Sequence, residues 1–280
     1  MILDGKNKVD WSYIHSQNSV ILLSTIQSLS RVPEKNWNIF FDMVIIDEVH
    51  HAIKERSQYG KLMLKILSPL RFGLTATEPT TSYERLINEG LIGPKLTEIT
   101  NQEGVQEGIL AKPIISLIPV PVSLKIINKC DGKYVLYRKY GITENKIRNS
   151  LIVNEAIKSL SLDDIVLIIV ENIEHGVILQ KLLKSKSISA PFVQGSMNKD
   201  LRNSIKEKTK SKINKICICT KVWREGIDIP SLNHIIYCAG LKERKLVKQA
   251  IGRGQRTTIG KNKTTPLWSI TSFLSIFLFI

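Results

Sequence analysis

The chain has 280 residues and a mass of 31.7 kDa, with 43% hydrophobic and 23% charged residues. This balance excludes wholesale disorder, a collagen-like repeat and a polytopic membrane protein, and the length favours two modest cores over one. The net charge of +15 points either to a polyanionic partner or to a solvated, lysine-rich surface. It is unevenly spread: residues 1–112 hold 12 Lys+Arg and 13 Asp+Glu, whereas residues 113–280 hold 28 and 12.

Along the chain, short apolar runs are bounded by polar or Gly/Pro turns, and most are followed by a segment of helical spacing. That alternation predicts an α/β fold with parallel sheets. Strands are expected at 20–24, 43–47, 71–75, 165–170, 215–220 and 234–238. The runs are apolar throughout, as strands covered on both faces by helices should be. Between the two groups, Gly90, Gly93, Pro94, Gly104, Gly108, Pro113, Pro119 and Pro121 concentrate backbone breakers. The domain boundary is therefore placed there, giving domains 1–112 and 113–280.

The segment 201–215 carries six basic residues and one acidic, and it reads as an exposed basic helix or loop. Cys130, Cys217, Cys219 and Cys238 lack zinc-type spacing, and strand alternation would put Cys217 and Cys219 on one face. They read as reduced thiols. The apolar stretch 267–280 is shorter than the ~20 residues that span a bilayer, so a last strand is expected and a membrane role is not. Charge at Asp4 and Lys6 argues against a signal peptide, which leaves a cytoplasmic, nucleoid or nuclear location.

Four segments carry the chemistry. Val44-Ile45-Ile46-Asp47-Glu48-Val49-His50-His51 is a strand closed by two carboxylates. One can hold Mg²⁺ on nucleotide phosphates while its neighbour orients or deprotonates water; an acidic pair alone can equally be a helix cap. Arg71-Phe72-Gly73-Leu74-Thr75-Ala76-Thr77 is a strand ending in hydroxyls. Thr220 to Pro230 includes Gly226 and Asp228, and Gln249 to Arg256 places Arg253 and Arg256 three apart on one helical face.

In this order the four segments resemble motifs II, III, V and VI of the superfamily-two helicases, the DEAD/DEAH-box relatives. The Asp-Glu-Val-His and Gln-x-x-Gly-Arg-x-x-Arg variants are most similar to branched-DNA helicases, repair translocases and restriction-enzyme motor subunits. Residues 20–29 resemble the motif Ib region, and Val193-Gln194-Gly195-Ser196-Met197 with Arg202 resembles the segment after motif IV.

The resemblance implies two RecA-like domains, the first incomplete, with ATP between them and nucleic acid across their tops. Asp47 would hold Mg²⁺, Glu48 would be the general base and His50 would link the nucleotide site to the second domain. Thr75 and Thr77 would couple hydrolysis to movement. Gly226, Asp228 and Gln249 would face the nucleotide, and Arg253 and Arg256 would be arginine fingers. Thr25, Gln27 and Thr220 would touch the nucleic-acid backbone, duplex or branched DNA being expected. No Gly-x-x-x-x-Gly-Lys-Ser/Thr phosphate loop occurs among the 280 residues. The family would place one upstream of Val20, so a truncated or split chain, or a second chain supplying the loop, is expected. The rival readings are a non-catalytic nucleic-acid or partner-binding module, and the motor portion of a restriction enzyme.

Overall fold

The computed structural model describes residues 2–3, 10–16, 19–33, 41–52, 58–79, 81–121, 123–162, 164–220, 229, 232, 234–238 and 268–275. Contacts divide the chain into two compact units, 1–98 and 99–280. Sequence places the boundary at 112. The residues between go with the second unit because Ala111 is buried in that unit's core.

The first unit contains β1 (Ile2–Leu3), α1 (Trp11–Ser16), β2 (Leu23–Ser24), α2 (Ile26–Leu29), β3 (Met43–Ile46), α3 (Gln58–Lys65), β4 (Leu70–Gly73) and α4 (Ser82–Leu91). Strands β1 and β2 pair in parallel, and β3 pairs in parallel with β4 in a separate sheet, Met43 opposite Leu70 and Ile45 opposite Phe72. Helix α4 starts at a capping box in which Thr81 Oγ1 accepts the Glu84 N–H and Glu84 Oε2 accepts the Thr81 N–H. Side chains alternate across a strand, so Val44 and Ile46 face a core with Met63, Ile66, Ile87 and Leu91. The opposite face is uncovered: Met43 is 49% exposed and Ile45 61%. Continuous apolarity thus does not mean two covered faces in this unit.

The second unit contains α5 (Asn101–Gln106), β5 (Pro113–Val120), α6 (Leu124–Cys130), α7 (Tyr134–Tyr137), a π-helical turn (Arg138–Thr143), α8 (Lys146–Ser161), β6 (Val166–Ile169), α9 (Ile173–Ser185), β7 (Phe192–Val193), α10 (Lys199–Lys210), β8 (Ile216–Cys219), β9 (His234–Tyr237) and β10 (Trp268–Ser275). Its strands form one parallel sheet in the order β5-β10-β9-β6-β8-β7. Both faces of its centre are covered. Val166, Ile168, Ile216, Ile218 and Ile236 pack under Ile152 and Ala156 of α8 and Leu179 and Leu183 of α9. Leu167, Ile169, Cys217, Cys219, Ile235 and Tyr237 pack with Ile205 of α10 on the other side.

Cys217 and Cys219 therefore share a face, as alternation requires. Burial pushes the Cys217 thiol up to about 11 and Cys238 to about 12, so neither is a thiolate near neutrality. Most of the apolar run 267–280 becomes β10, between β5 and β9. No helix among the described residues is long and apolar enough to cross a membrane.

Candidate active site

The carboxyl ends of β3 and β4 are stitched together by backbone hydrogen bonds: Leu74 N–H donates to the Ile46 carbonyl at 2.8 Å and Val49 N–H to the Leu74 carbonyl at 3.0 Å. The chain leaves β3 sharply. Glu48 adopts a left-handed conformation (φ 52°, ψ 44°), and a 3₁₀ turn over Val49–His51 follows. Such a backbone costs an L-residue roughly 1–2 kcal/mol, so surrounding contacts must hold it. One is Val49, buried under Gly73; a Cβ on Gly73 would lie 2.9 Å from Val49 Cγ1. A glycine is required there for β4 to approach the turn.

This turn presents the acidic pair. Asp47 is exposed, and its Oδ1 accepts the Glu48 N–H at 2.9 Å. Glu48 Oε2 lies 3.3 Å from His50 Nδ1, and His50 Nδ1 lies 2.9 Å from Thr75 Oγ1. Thr75 Oγ1 in turn donates to the Thr77 carbonyl at 3.1 Å and accepts the Thr77 N–H at 3.1 Å. With the hydroxyl proton of Thr75 directed to Thr77, the His50 contact needs a proton on Nδ1, which goes to Thr75; Glu48 Oε2 lies beside that nitrogen at 3.3 Å, buried and without a hydrogen-bond partner. The result is a polar line, Glu48–His50–Thr75–Thr77, running from the end of one strand to the end of the next. His50 is nearly buried, its side chain 8% exposed; the Glu48 side chain is 43% exposed, but the Oε2 that faces His50 is buried.

The sequence reading missed Tyr59. Its ring lies 6.0 Å from that of His51, which is 4.2 Å from His50. Its hydroxyl is held above the usual tyrosine range by burial first, then by the charges of Asp47 and Glu48. The only sequence signal was its position in the first turn of α3, which marks a core-facing residue and nothing chemical.

Of the expected nucleic-acid contacts, Thr25 caps α2, its Oγ1 accepting the Ser28 N–H at 3.2 Å, so its hydroxyl has a structural task. Gln27 is exposed on that helix. Thr220 lies at the carboxyl end of β8, its N–H donating to the Val193 carbonyl at 3.1 Å. Gly226, Asp228, Gln249, Arg253 and Arg256 lie outside the described residues.

The second unit holds a buried polar network that sequence did not predict, at the carboxyl ends of β6 and β9. Arg148, 1% exposed, donates from Nη2 to the Cys238 carbonyl at 2.7 Å. Asn149 Nδ2 donates to the Thr143 carbonyl, leaving its Oδ1 to accept from His175 Nε2 at 2.9 Å. Burial, then the Arg148 charge, pushes His175 down to about 3, so it is neutral near pH 7.

A family model of the helicase conserved C-terminal domain matches residues 149–258, and one of the type III restriction enzyme res subunit matches residues 1–80. The ATP-dependent DNA helicase uvsW of Enterobacteria phage T4 is 24% identical over 262 residues, covering 91% of this chain and 51% of its own length. The transcript termination protein A18 of Yaba-like disease virus is 25% identical over 279 residues, covering 98% and 57%. Among solved structures, the ATP-dependent type ISP restriction-modification enzyme LlaBIII bound to DNA matches with a TM-score of 0.62 at 17% identity, over 91% of this chain and 19% of that one. The chain spans about half the length of the curated relatives it matches. Family models over residues 1–80 and 149–258, a helicase relative matching nearly the whole chain and the parallel α/β fold point the same way: the chain is similar to the superfamily-two helicases.

Proposed function

We propose that this chain supplies the catalytic carboxylates and the second motor domain of an ATP-dependent DNA helicase or translocase. The observation that carries the reading is the line Glu48–His50–Thr75–Thr77. It sets the acidic pair at the end of β3 against the end of β4, so a change at the carboxylates would reach the neighbouring strand through His50. Asp47 is a hard oxygen donor with one oxygen unused by the backbone, which suits Mg²⁺. The ion would neutralise charge on the nucleotide phosphates. Glu48 would accept the proton of the attacking water, with His50 orienting it from 3.3 Å. Thr75 and Thr77 would carry the coupling.

The domain division proposed from sequence, 1–112 and 113–280, keeps all five of these residues in the first half. Gly226, Asp228 and Gln249 would face the nucleotide from the second domain, and Arg253 and Arg256 would stabilise charge in the transition state. The phosphate-cradling loop is assigned to a segment other than these 280 residues, in the same chain or another. DNA, duplex or branched, is the proposed track. Thr25, Gln27 and Thr220 would contact its backbone, supported by the basic charge of residues 113–280 and by the name of the uvsW relative.

The test is phosphate release with saturating DNA and Mg²⁺. The 280 residues alone should stay near background, because phosphoryl transfer needs its parts as a unit. Fusing a relative's phosphate-loop segment ahead of Met1 should restore DNA-stimulated turnover. In that fusion Glu48→Gln should lower turnover by roughly 10²-fold or more while nucleotide still binds. Robust release by the unfused chain that vanishes in Glu48→Gln would overturn the role given to the loop.

The match of residues 1–80 to a restriction-enzyme subunit supports a second reading, the motor portion of a restriction enzyme. Displacement of a third strand from duplex DNA without unwinding would favour that reading over a helicase.

A further inference from the structure

Two basic stretches lie in residues 99–280, and the fold sends them to opposite edges of the sheet. Helix α10 begins just past the carboxyl end of β7 and runs back to the start of β8. Lys206 to Lys215 therefore lie toward the amino ends of the strands. In a parallel α/β sheet, ligands gather at the carboxyl ends.

A different group occupies that edge. Helices α6 and α7 and the π-helical turn pack on one another and are pinned to residues just past β6. Asn172 Nδ2 donates to Thr143 Oγ1 at 3.0 Å, and Arg138 Nη2 lies 3.0 Å from Glu171 Oε1. Residues 123–146 of this group hold six Lys+Arg, two Asp+Glu and three tyrosines. Lys133 and Lys139 are paired with Asp131 and Glu144. Lys125, Lys129 and Lys146 are exposed and have no carboxylate partner among the described residues.

Lys129 Nζ sits 3.7 Å from the Tyr140 ring centroid and Lys139 Nζ 5.5 Å from the same centroid. Two ammonium groups drawn to one ring repel each other, and an anion between them removes that cost. Tyr134 of α7 is 36% exposed, and its ring lies 6.4 Å from that of Tyr137. Clustered cations interleaved with partly exposed aromatic rings fit phosphates and base faces together, which an acidic protein does not offer.

We infer that α6, α7 and the π-helical turn form a nucleic-acid contact at the carboxyl edge of the second unit. Lys125, Lys129 and Lys146 meet phosphates, and Tyr134 meets a base. The inference rests on the nucleic-acid reading above and adds a surface outside the motif segments that carry the family resemblance.

The test is anisotropy of a labelled mixed-sequence single strand and its duplex, titrated with the 280-residue chain over a range of salt. Lys125→Glu/Lys129→Glu should weaken binding about tenfold or more at low salt and make the salt slope shallower by roughly 1.4 on the single strand and roughly 1.8 on the duplex. Tyr134→Leu should weaken the single strand about fivefold and the duplex less. The control pair, Lys181→Glu/Lys184→Glu, changes the same charge on the part of α9 that leads away from that edge, and should stay within about twofold of wild type. Since both substituted lysines are exposed, circular dichroism should show the fold unchanged. Wild-type binding with an unaffected Lys125/Lys129 variant, or an equal loss in the control pair, sinks this inference alone. A wild-type chain that binds no nucleic acid sinks the nucleic-acid reading with it.

Discussion

The two units differ in how their parallel strands are covered. In the second, every described residue of β6, β8 and β9 is buried, between α8 and α9 on one face and α10 on the other. In the first, β3 and β4 have one covered face and one bare one, although Met43-Val44-Ile45-Ile46 is as apolar as any strand of the second unit. The acidic pair with its polar line sits on this half-covered sheet. The lesson is that apolarity records what a strand needs to be covered by, and only the neighbours present decide whether it is.

The largest expected effect comes from cutting into the covered sheet. Leu179, fully buried against the sheet, should cost the second unit about 3–4 kcal/mol as Leu179→Ala. All four cysteines lie in residues 99–280, so thiol labelling against urea reads that unit alone. By contrast Ile45→Ala should cost well under about 1 kcal/mol, read by amide exchange in β3, because the side chain is 61% exposed. Equal losses would mean that the bare face is covered in solution.

Next in size is a pH effect confined to the second unit. His175 is pushed down to about 3 by burial and by Arg148, and His234 to about 4 by burial and by Lys158. Both folded values lie below the unfolded value of ~6.5, so below that pH the unfolded chain binds more protons. The contribution is fully present above pH ~6.5 and is lost as pH falls through the folded values. From pH 7 to 5 the loss should be about 2 kcal/mol per histidine, measured by urea unfolding with a disulfide reagent active at pH 5. A flat profile would show that water reaches these imidazoles in the folded state.

Much of this arrangement is legible in the sequence because strands are local. The expected strands at 43–47, 165–170, 215–220 and 234–238 appear within a residue or two, and the acidic pair ends β3 as read. What stayed hidden depends on partners distant along the chain. Arg148 reads as a surface cation, yet its acceptor is the carbonyl of Cys238, ninety residues on. The basic segment 201–215 is visible in sequence as charge, but the edge it occupies is not; the helix carries its lysines away from the carboxyl ends of the strands. Contacts group residues 99–112 with the second unit, where Ala111 is buried in the core, an assignment that the backbone breakers around residue 112 do not reveal.

The smallest effect concerns the backbone under the acidic pair, and it separates stability from chemistry in the less covered unit. Glu48 sits at φ 52° and ψ 44°, where a β-carbon crowds the following carbonyl and where asparagine is better tolerated. If the glutamate is retained for its carboxylate, a residue suited to the backbone should relax the turn. Glu48→Asn should then stabilise it by about 0.5 kcal/mol, and Glu48→Ile should cost about 1 kcal/mol or more, because β-branching suits this region least. The readout is exchange of the Val49 amide, bonded to the Leu74 carbonyl at 3.0 Å, which opens only when the strand ends part. In a chain completed with a phosphate loop, the same Glu48→Asn substitution should lose ATP turnover, since the amide is a poor base and shorter than the side chain that reaches His50. Slower exchange together with lost turnover would mark Glu48 as a strained residue kept for chemistry. Faster exchange in Glu48→Asn would show instead that the glutamate's contact with His50 holds the turn, so that the left-handed backbone stores no strain to relieve.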